Sequence, residues 1–204
     1  MDTNSPAPIS SYRLGDLCLV TLSEPEKQEL INDFPDSIGA DYIRGGCRSD
    51  IDAIICIVMK HIQKYAALIP PDITDCTVVH LRLGDVVAGN EYHEKQKRPI
   101  YAGFLKEMVP QDSGKIYVIG KCFFAKTSST NYAACIQLSK RYIENVLREL
   151  GDGTEHFDGG FADVDLCAAV QAKWFIQGRG FFSKLIVDIR KRLHRPCIET
   201  SVHD

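Results

Sequence analysis

The sequence lacks the long apolar run and the paired cysteines that would indicate a membrane span or a zinc site. Its longest apolar run, residues 51–59, is interrupted by Asp52 and falls short of the roughly 20 residues of a spanning helix. Residues 1–11 have neither the basic start nor the apolar centre of a signal peptide. We therefore expect a flexible tail over 1–11, no membrane span and a cytoplasmic protein.

The eight cysteines include no C-x-x-C pair, so their spacing does not favour a zinc site. Most lie inside apolar runs, where a free cysteine behaves as a small hydrophobic residue. Without an export signal, reduced thiols are expected rather than a disulfide framework.

The chain also has no excess of basic charge. Its 204 residues carry a net charge of −3, with an isoelectric point near 6.1. A binder of nucleic acid driven by bulk electrostatics is usually strongly basic, so we expect no nucleic-acid partner. The composition, 45% hydrophobic and 25% charged, is typical of a globular protein, and the length fits one domain with or without a small extra lobe.

Predicted strands and helices alternate along the chain. Strands are predicted at 12–22, 41–44, 77–83, 115–124, 154–157 and 173–177, and helices at 24–34, 50–68, 101–108, 131–150, 164–172 and 182–193. This alternation predicts an α/β, Rossmann-like fold, a mainly parallel sheet with helices on both faces. We divide the chain into a small N-terminal α/β portion, 12–75, and a larger α/β portion, 76–204, which form either two units or one domain.

Ligands of such sheets bind beyond the carboxyl ends of the strands, and residues 80–85 (HLRLGD) follow a predicted buried strand. His80, Arg82 and Gly84 alternate with apolar residues and so share one face of the strand. Burying His and Arg is costly unless each has a partner, and Arg binds phosphate with two parallel hydrogen bonds. The alternative is a buried ion pair that serves only the fold, either between Arg82 and Asp85 or between His80 and an aspartate.

A second candidate is the turn at 178–183 (GRGFFS), between a predicted strand and a helix. A glycine-containing turn that opens a helix presents free N–H groups and a positive dipole end to an anion. Ser183 either donates to a phosphate oxygen or caps the helix.

Two aspartates at a predicted helix start form a third candidate. Asp163 and Asp165 either bind a base or ribose, or cap the helix and compensate its dipole.

The first two segments, in this order, resemble the signature of the fucosyltransferase superfamily, meaning the α1,2-, α1,6- and protein O-fucosyltransferases. The strand segment 80–85 matches a His-x-Arg-x-x-Asp pattern, and residues 165–183 (DLCAAVQAKWFIQGRGFFS) match the later pattern that ends in Phe-Ser. The resemblance covers about residues 76–195. It implies the nucleotide-sugar-binding half of a two-lobed GT-B glycosyltransferase.

The resemblance also implies roles for these residues. Arg82 would hold the donor diphosphate, helped by Gly84 and by the turn of Gly180, Phe182 and Ser183. His80 and Asp85 would shape the site, and Asp165 would reach the nucleoside. Glycosyl transfer also uses a carboxylate near the acceptor hydroxyl as a base, and Asp85 is the first candidate, ahead of Glu91 and Asp16. No metal and no separate cofactor would be needed.

The sequence therefore predicts a glycosyltransferase that moves a sugar, with GDP-fucose as the favoured donor, to a carbohydrate or protein hydroxyl. Two alternatives remain open. One is a non-catalytic module that binds a nucleotide-sugar or glycan, and the other is a different phosphate-handling enzyme on the same fold.

Overall fold

The computed structural model describes residues 22–46, 50–84, 86–87, 99–123 and 132–200. The tail 1–11 and nearly all of the predicted strand 12–22 lie outside these ranges. The helices are α1 (Glu24–Asp33), α2 (Ile38–Arg44), α3 (Ile51–Lys64), α4 (Ala102–Met108), α5 (Tyr132–Leu150), α6 (Ala162–Gln171) and α7 (Phe181–Arg192). The strands are β1 (Thr77–His80), β2 (Leu83–Gly84), β3 (Ile116–Ile119), β4 (Cys122–Phe123), β5 (Thr154–His156), β6 (Trp174–Ile176) and β7 (Cys197–Ile198).

The described N-terminal part is helical, and the prediction of a strand at 41–44 is wrong. These residues end α2, whose start is capped by the Ser37 side chain accepting from the Ala40 amide at 3.0 Å. A serine cap at this position favours a helix over a strand. Neighbouring polar residues cap the starts of α1 and α3. Glu26 completes a capping box with Ser23 at α1, and Asp50 caps α3.

The main sheet has five strands in the order β5-β3-β1-β6-β7, and every pairing is parallel. When the strands of this sheet are numbered by their order in the chain, they lie side by side as 3-2-1-4-5. This is the order of doubly wound sheets that bind nucleotides. The predicted Rossmann-like α/β fold is thus confirmed. The strand order reverses between β1 and β6, and doubly wound sheets bind ligands beyond the carboxyl ends of the strands at such a point.

The single strand predicted at 115–124 is two strands in the structure. Gly120 separates β3 from β4, which pairs with β2 in a small second sheet. A Cβ at Gly120 would lie 2.5 Å from the Leu81 carbonyl oxygen, so only glycine fits this close approach.

Helices cover both faces of the main sheet. On one face, residues of α1, α2, α3, α6 and α7 form an apolar core with Val78 and Phe175. On the other face, α4 and α5 pack on Val79, Val118 and Ile176. Alternate residues of β1 therefore serve opposite cores, as the period of a strand requires.

Arg190 belongs to the basic last turn of α7, a pattern typical of a solvated helix end. In the structure, however, Arg190 is buried. It is 0% exposed and donates to five backbone carbonyls, those of Ala169, Val170, Ala172, Lys173 and Pro196. Because a helix leaves its last carbonyls without partners in the helix, this guanidinium caps the end of α6.

The six described cysteines are free thiols. Among the described residues, no helix has both the length and the apolar character needed to cross a bilayer.

Candidate functional site

At the carboxyl ends of β1 and β6, two backbone segments approach each other closely. A Cβ at Gly178, just after β6, would overlap the carbonyl oxygen and the ring Nδ1 of His80 at the end of β1. Only glycine permits this contact. It brings the turn that precedes α7 against the strand end that carries His80 and Arg82.

Arg82 lies against the first turn of α7. Gly180 is the N-cap of this helix with φ of 93°, a conformation that favours glycine. A Cβ placed there would stand 3.6 Å from Arg82 Cδ and 4.0 Å from its Nη1. The guanidinium and the N–H groups of a 12-residue helix therefore add their positive potential at one place, which suits an anion.

His80 is a neutral neighbour of this charge. It is 5% exposed, and burial together with the charge of Arg82 lowers its pKa to about 3. Its ring packs against that of Phe182, with centroids 5.3 Å apart. The buried Nδ1 has no hydrogen-bond partner among the residues that the structure describes. A neutral His80 leaves Arg82 as the positive side chain of the pair.

Ser183 is the third residue of α7 and is fully buried. The suggestion that it caps the helix is wrong, since the N-cap is Gly180 and no side chain caps the first turn. Its hydroxyl lacks a partner within the described part of the chain. A buried hydroxyl without a partner is costly, so Ser183 remains available as a donor beside the N-terminus of α7.

The amide of Gly84 bonds to a side chain of α5, and its predicted contact with a ligand stays a prediction. Its amide donates to the Ser139 hydroxyl of α5 at 3.0 Å, and its φ of 83° fits glycine in β2. Asp85, Glu91 and Asp16 lie outside the described residues, so the predicted base stays a prediction.

Asp163 is a structural residue rather than part of the binding site. It is 2% exposed and accepts a 2.8 Å hydrogen bond from the amide of Ile38, the first residue of α2. Burial, followed by the negative charge of Asp163, raises the pKa of Tyr65 to about 12. The carboxylate thus compensates two helix starts, its own in α6 and that of α2.

We expect Asp163→Ala to lower the free energy of unfolding by about 2 kcal/mol, because the buried amide of Ile38 loses its partner. Urea denaturation measures this loss. Asp188→Ala, an exposed change on α7, serves as the control and should leave the midpoint unchanged. A weaker affinity for GDP with unchanged stability would instead place Asp163 in the site.

Asp165 lies in a separate cluster at the same edge of the sheet. Its Oδ1 accepts from the Gly159 amide at 3.1 Å, and its Oδ2 is 3.8 Å from Lys121 Nζ. Burial raises its pKa to about 7, against the charge of Lys121 and the Gly159 hydrogen bond. Lys121 also pairs with Asp158. Arg82, His80, Gly180 and Phe182 therefore lie close together, whereas Asp165 lies beside Lys121.

Sequence reasoning missed Lys121. His80 pairs with Ile119, and Leu83 pairs with Cys122. The same register places Lys121, between β3 and β4, opposite Arg82, between β1 and β2. The signal was a basic residue directly after Gly120, inside the strand predicted at 115–124. Gly178 was part of the predicted turn, but its contact with His80 required the tertiary structure.

Comparisons with known proteins give a distant likeness. No protein-family model matches the chain, and no curated protein does so either. Among solved structures, a crystal structure of POFUT1 in complex with GDP (crystal form III) matches with a TM-score of 0.45 and 12% identity over 71% of this chain and 46% of that one. A second, high-resolution POFUT1–GDP structure matches with a TM-score of 0.41 and 13% identity over 71% and 48%. The chain spans about half the length of these structures.

Proposed function

We propose that this protein binds a nucleotide-sugar and transfers its sugar, with the donor diphosphate held between Arg82 and the N-terminus of α7. The observation that carries this proposal is the contact of Arg82 with Gly180 at the point where the chain order of the sheet reverses. Doubly wound sheets bind ligands at that point.

The chemistry of glycosyl transfer fits this arrangement. The bond between the anomeric carbon and the diphosphate breaks, and the diphosphate leaves with the electron pair. Negative charge therefore grows where Arg82 and the amides of α7 stand, and preorganised donors stabilise it. The positive potential comes from the protein, so the proposal includes no divalent cation.

The acceptor supplies a hydroxyl from a carbohydrate or a protein. Its oxygen forms the new bond to the anomeric carbon while a carboxylate takes its proton. Asp85 is our candidate for this base, because it follows Arg82 by three residues in the sequence. GDP-fucose is the proposed donor on the strength of the sequence resemblance at 80–85 and 165–183.

A thermal-shift panel with GDP, UDP, GDP-fucose and GDP-mannose, each with and without Mn²⁺, tests the proposal. GDP at 100 times its Kd should stabilise the fold by about 2.7 kcal/mol, a rise in Tm of about 5–10 °C. UDP should shift Tm less, and Mn²⁺ should not be required.

The same panel separates the alternatives. A shift that needs Mn²⁺ contradicts the metal-independent proposal, and no shift with any nucleotide refutes it. GDP binding without transfer to any acceptor in a broad glycan and peptide panel would instead establish a binding module.

A further inference from the structure

Lys121 lies opposite Arg82 at the carboxyl edge of the sheet. The two backbone segments stay in register past the ends of β1 and β3, because the Leu81 amide donates to the Ile119 carbonyl at 2.8 Å and β2 pairs with β4 in the same register. Neighbouring strands lie about 4.8 Å apart. The backbones of Arg82 and Lys121 are therefore about one strand spacing apart, which is similar to the width of two linked phosphate groups.

Both side chains extend towards the same face of the sheet. Residues at alternate positions of a strand share a face, and Val78 and Ile119 both belong to the core on the side of α6 and α7. The same alternation places Arg82 and Lys121 on that side. Their contacts agree with this placement, since Arg82 lies against the start of α7 and Lys121 Nζ lies 3.8 Å from Asp165 Oδ2 in the first turn of α6. This edge of the sheet thus has one cation beside each of two helix starts.

The ammonium group of Lys121 has more donors than its ion pair uses. Asp158 is its hydrogen-bond partner within the described ranges, whereas an ammonium group has three N–H donors. Asp165 takes none of them, because its Oδ2 stands beyond hydrogen-bond distance. Burial also raises the pKa of Asp165 to about 7, so its negative charge is incomplete at neutral pH. The Lys121 side chain is 32% exposed, and a ligand at this edge can therefore reach it.

We propose that Lys121 is the second cation of the diphosphate site, so that the two phosphate groups lie between Lys121 and Arg82. This inference rests on the proposed function and adds a residue to its site. Lysine binds phosphate as a point charge, whereas arginine supplies a two-point contact. Because His80 is neutral, Arg82 and Lys121 are the two positive charges that meet the diphosphate. Both charges also stabilise the diphosphate as it leaves.

Isothermal calorimetry with GDP and with inorganic pyrophosphate tests this assignment. Lys121→Met keeps the apolar stem of the side chain and removes its charge. It should weaken the binding of both ligands by about 10- to 100-fold, which corresponds to the loss of one charge-assisted hydrogen bond. The two losses should be similar, because pyrophosphate has the phosphates of GDP but no nucleoside. Lys121→Arg restores a cation and should recover most of the affinity.

Asp158→Asn is the matched control, because it breaks the same ion pair and keeps the ammonium group. If Lys121 binds phosphate, Asp158→Asn should leave the pyrophosphate affinity unchanged or raise it, since the ammonium group no longer pairs with that carboxylate. Circular dichroism verifies the fold of each variant. The ion pair lies near the surface, so neither Lys121→Met nor Asp158→Asn should lower Tm by more than about 4 °C.

Three results overturn the inference. Lys121→Met binding both ligands as tightly as the unmodified protein removes Lys121 from the site. Equal losses of affinity in Lys121→Met and Asp158→Asn assign Lys121 to the support of the turn after β5. A loss for GDP alone in Lys121→Met separates Lys121 from the phosphates. Failure of the proposed function looks different, because the unmodified protein would then bind neither ligand.

Discussion

Arg82→Ala should reduce GDP affinity by about 100-fold or more while the protein stays folded. Each hydrogen bond between charged groups contributes about 1.5–3 kcal/mol, and a guanidinium makes two such bonds to a diphosphate. The side chain is half-buried and follows the core strand β1, so its removal leaves the apolar core intact. Calorimetry with GDP measures the loss, and circular dichroism verifies the fold.

Arg82→Lys should recover little of the lost affinity, since an ammonium group cannot bind two phosphate oxygens in the planar geometry of a guanidinium. The neighbouring turn offers a matched control in Arg179. Burial raises the pKa of Tyr142 on α5, and the positive charge of Arg179 opposes this rise, so Arg179 lies near α5. Arg179→Ala should therefore bind GDP nearly normally. GDP binding or sugar transfer that persists in Arg82→Ala would refute the assignment of the diphosphate site.

Arg190→Ala should lower the free energy of unfolding by about 4 kcal/mol or more, because it leaves several buried carbonyls without donors. Nη1 alone lies 2.6 Å from the Ala169 oxygen and 2.9 Å from that of Ala172. Burial lowers the pKa of Arg190 to about 10, so the group is charged at neutral pH and its hydrogen bonds are charge-assisted. Urea denaturation followed by circular dichroism gives the loss directly.

Two further variants serve as comparisons for Arg190→Ala. Arg190→Lys should be intermediate, because an ammonium group has three donors and reaches fewer of the carbonyls. Lys191→Ala changes the exposed basic neighbour, which pairs with Glu199, and should leave the denaturation midpoint in place. If Arg190→Ala unfolds at the urea concentration of the unmodified protein, the buried cap does not hold the end of α6.

The main elements of the sheet were predictable because the signals that form them are local. Alternation of strand and helix patterns predicted β1, β3 and β6 and the helices between them, and a parallel sheet follows from the connections. The strand predicted at 41–44 failed for a local reason as well, because the Ser37 cap outweighs the strand preference of Tyr42 and Ile43. The break at Gly120 depended on the Leu81 carbonyl of another strand, and nothing near Gly120 in the sequence carries that information.

The candidate site was predictable as two segments but not as a geometry. Arg82 and the 178–183 turn stood out because polar and glycine residues follow strands, where parallel sheets bind ligands. Their contact depends on β6 pairing with β1, a choice made by packing across the whole sheet. The role of Asp163 was not predictable from the sequence, because its partner is the Ile38 amide. This amide lies far away in sequence, and only the fold brings the start of α2 near Asp163.

By itself, the sequence determined that this chain forms a parallel α/β sheet and that an arginine follows its central strand, because hydrophobic periodicity and residue chemistry act over a few residues. The tertiary structure alone decided which arginine is buried and which stands at the edge. Arg190 donates to the carbonyls that end α6, whereas Arg82 is half-buried beside Gly180 at the start of α7. A buried charge is stable only where hydrogen-bond partners surround it. Packing of the whole chain decides where partners that are distant in sequence lie.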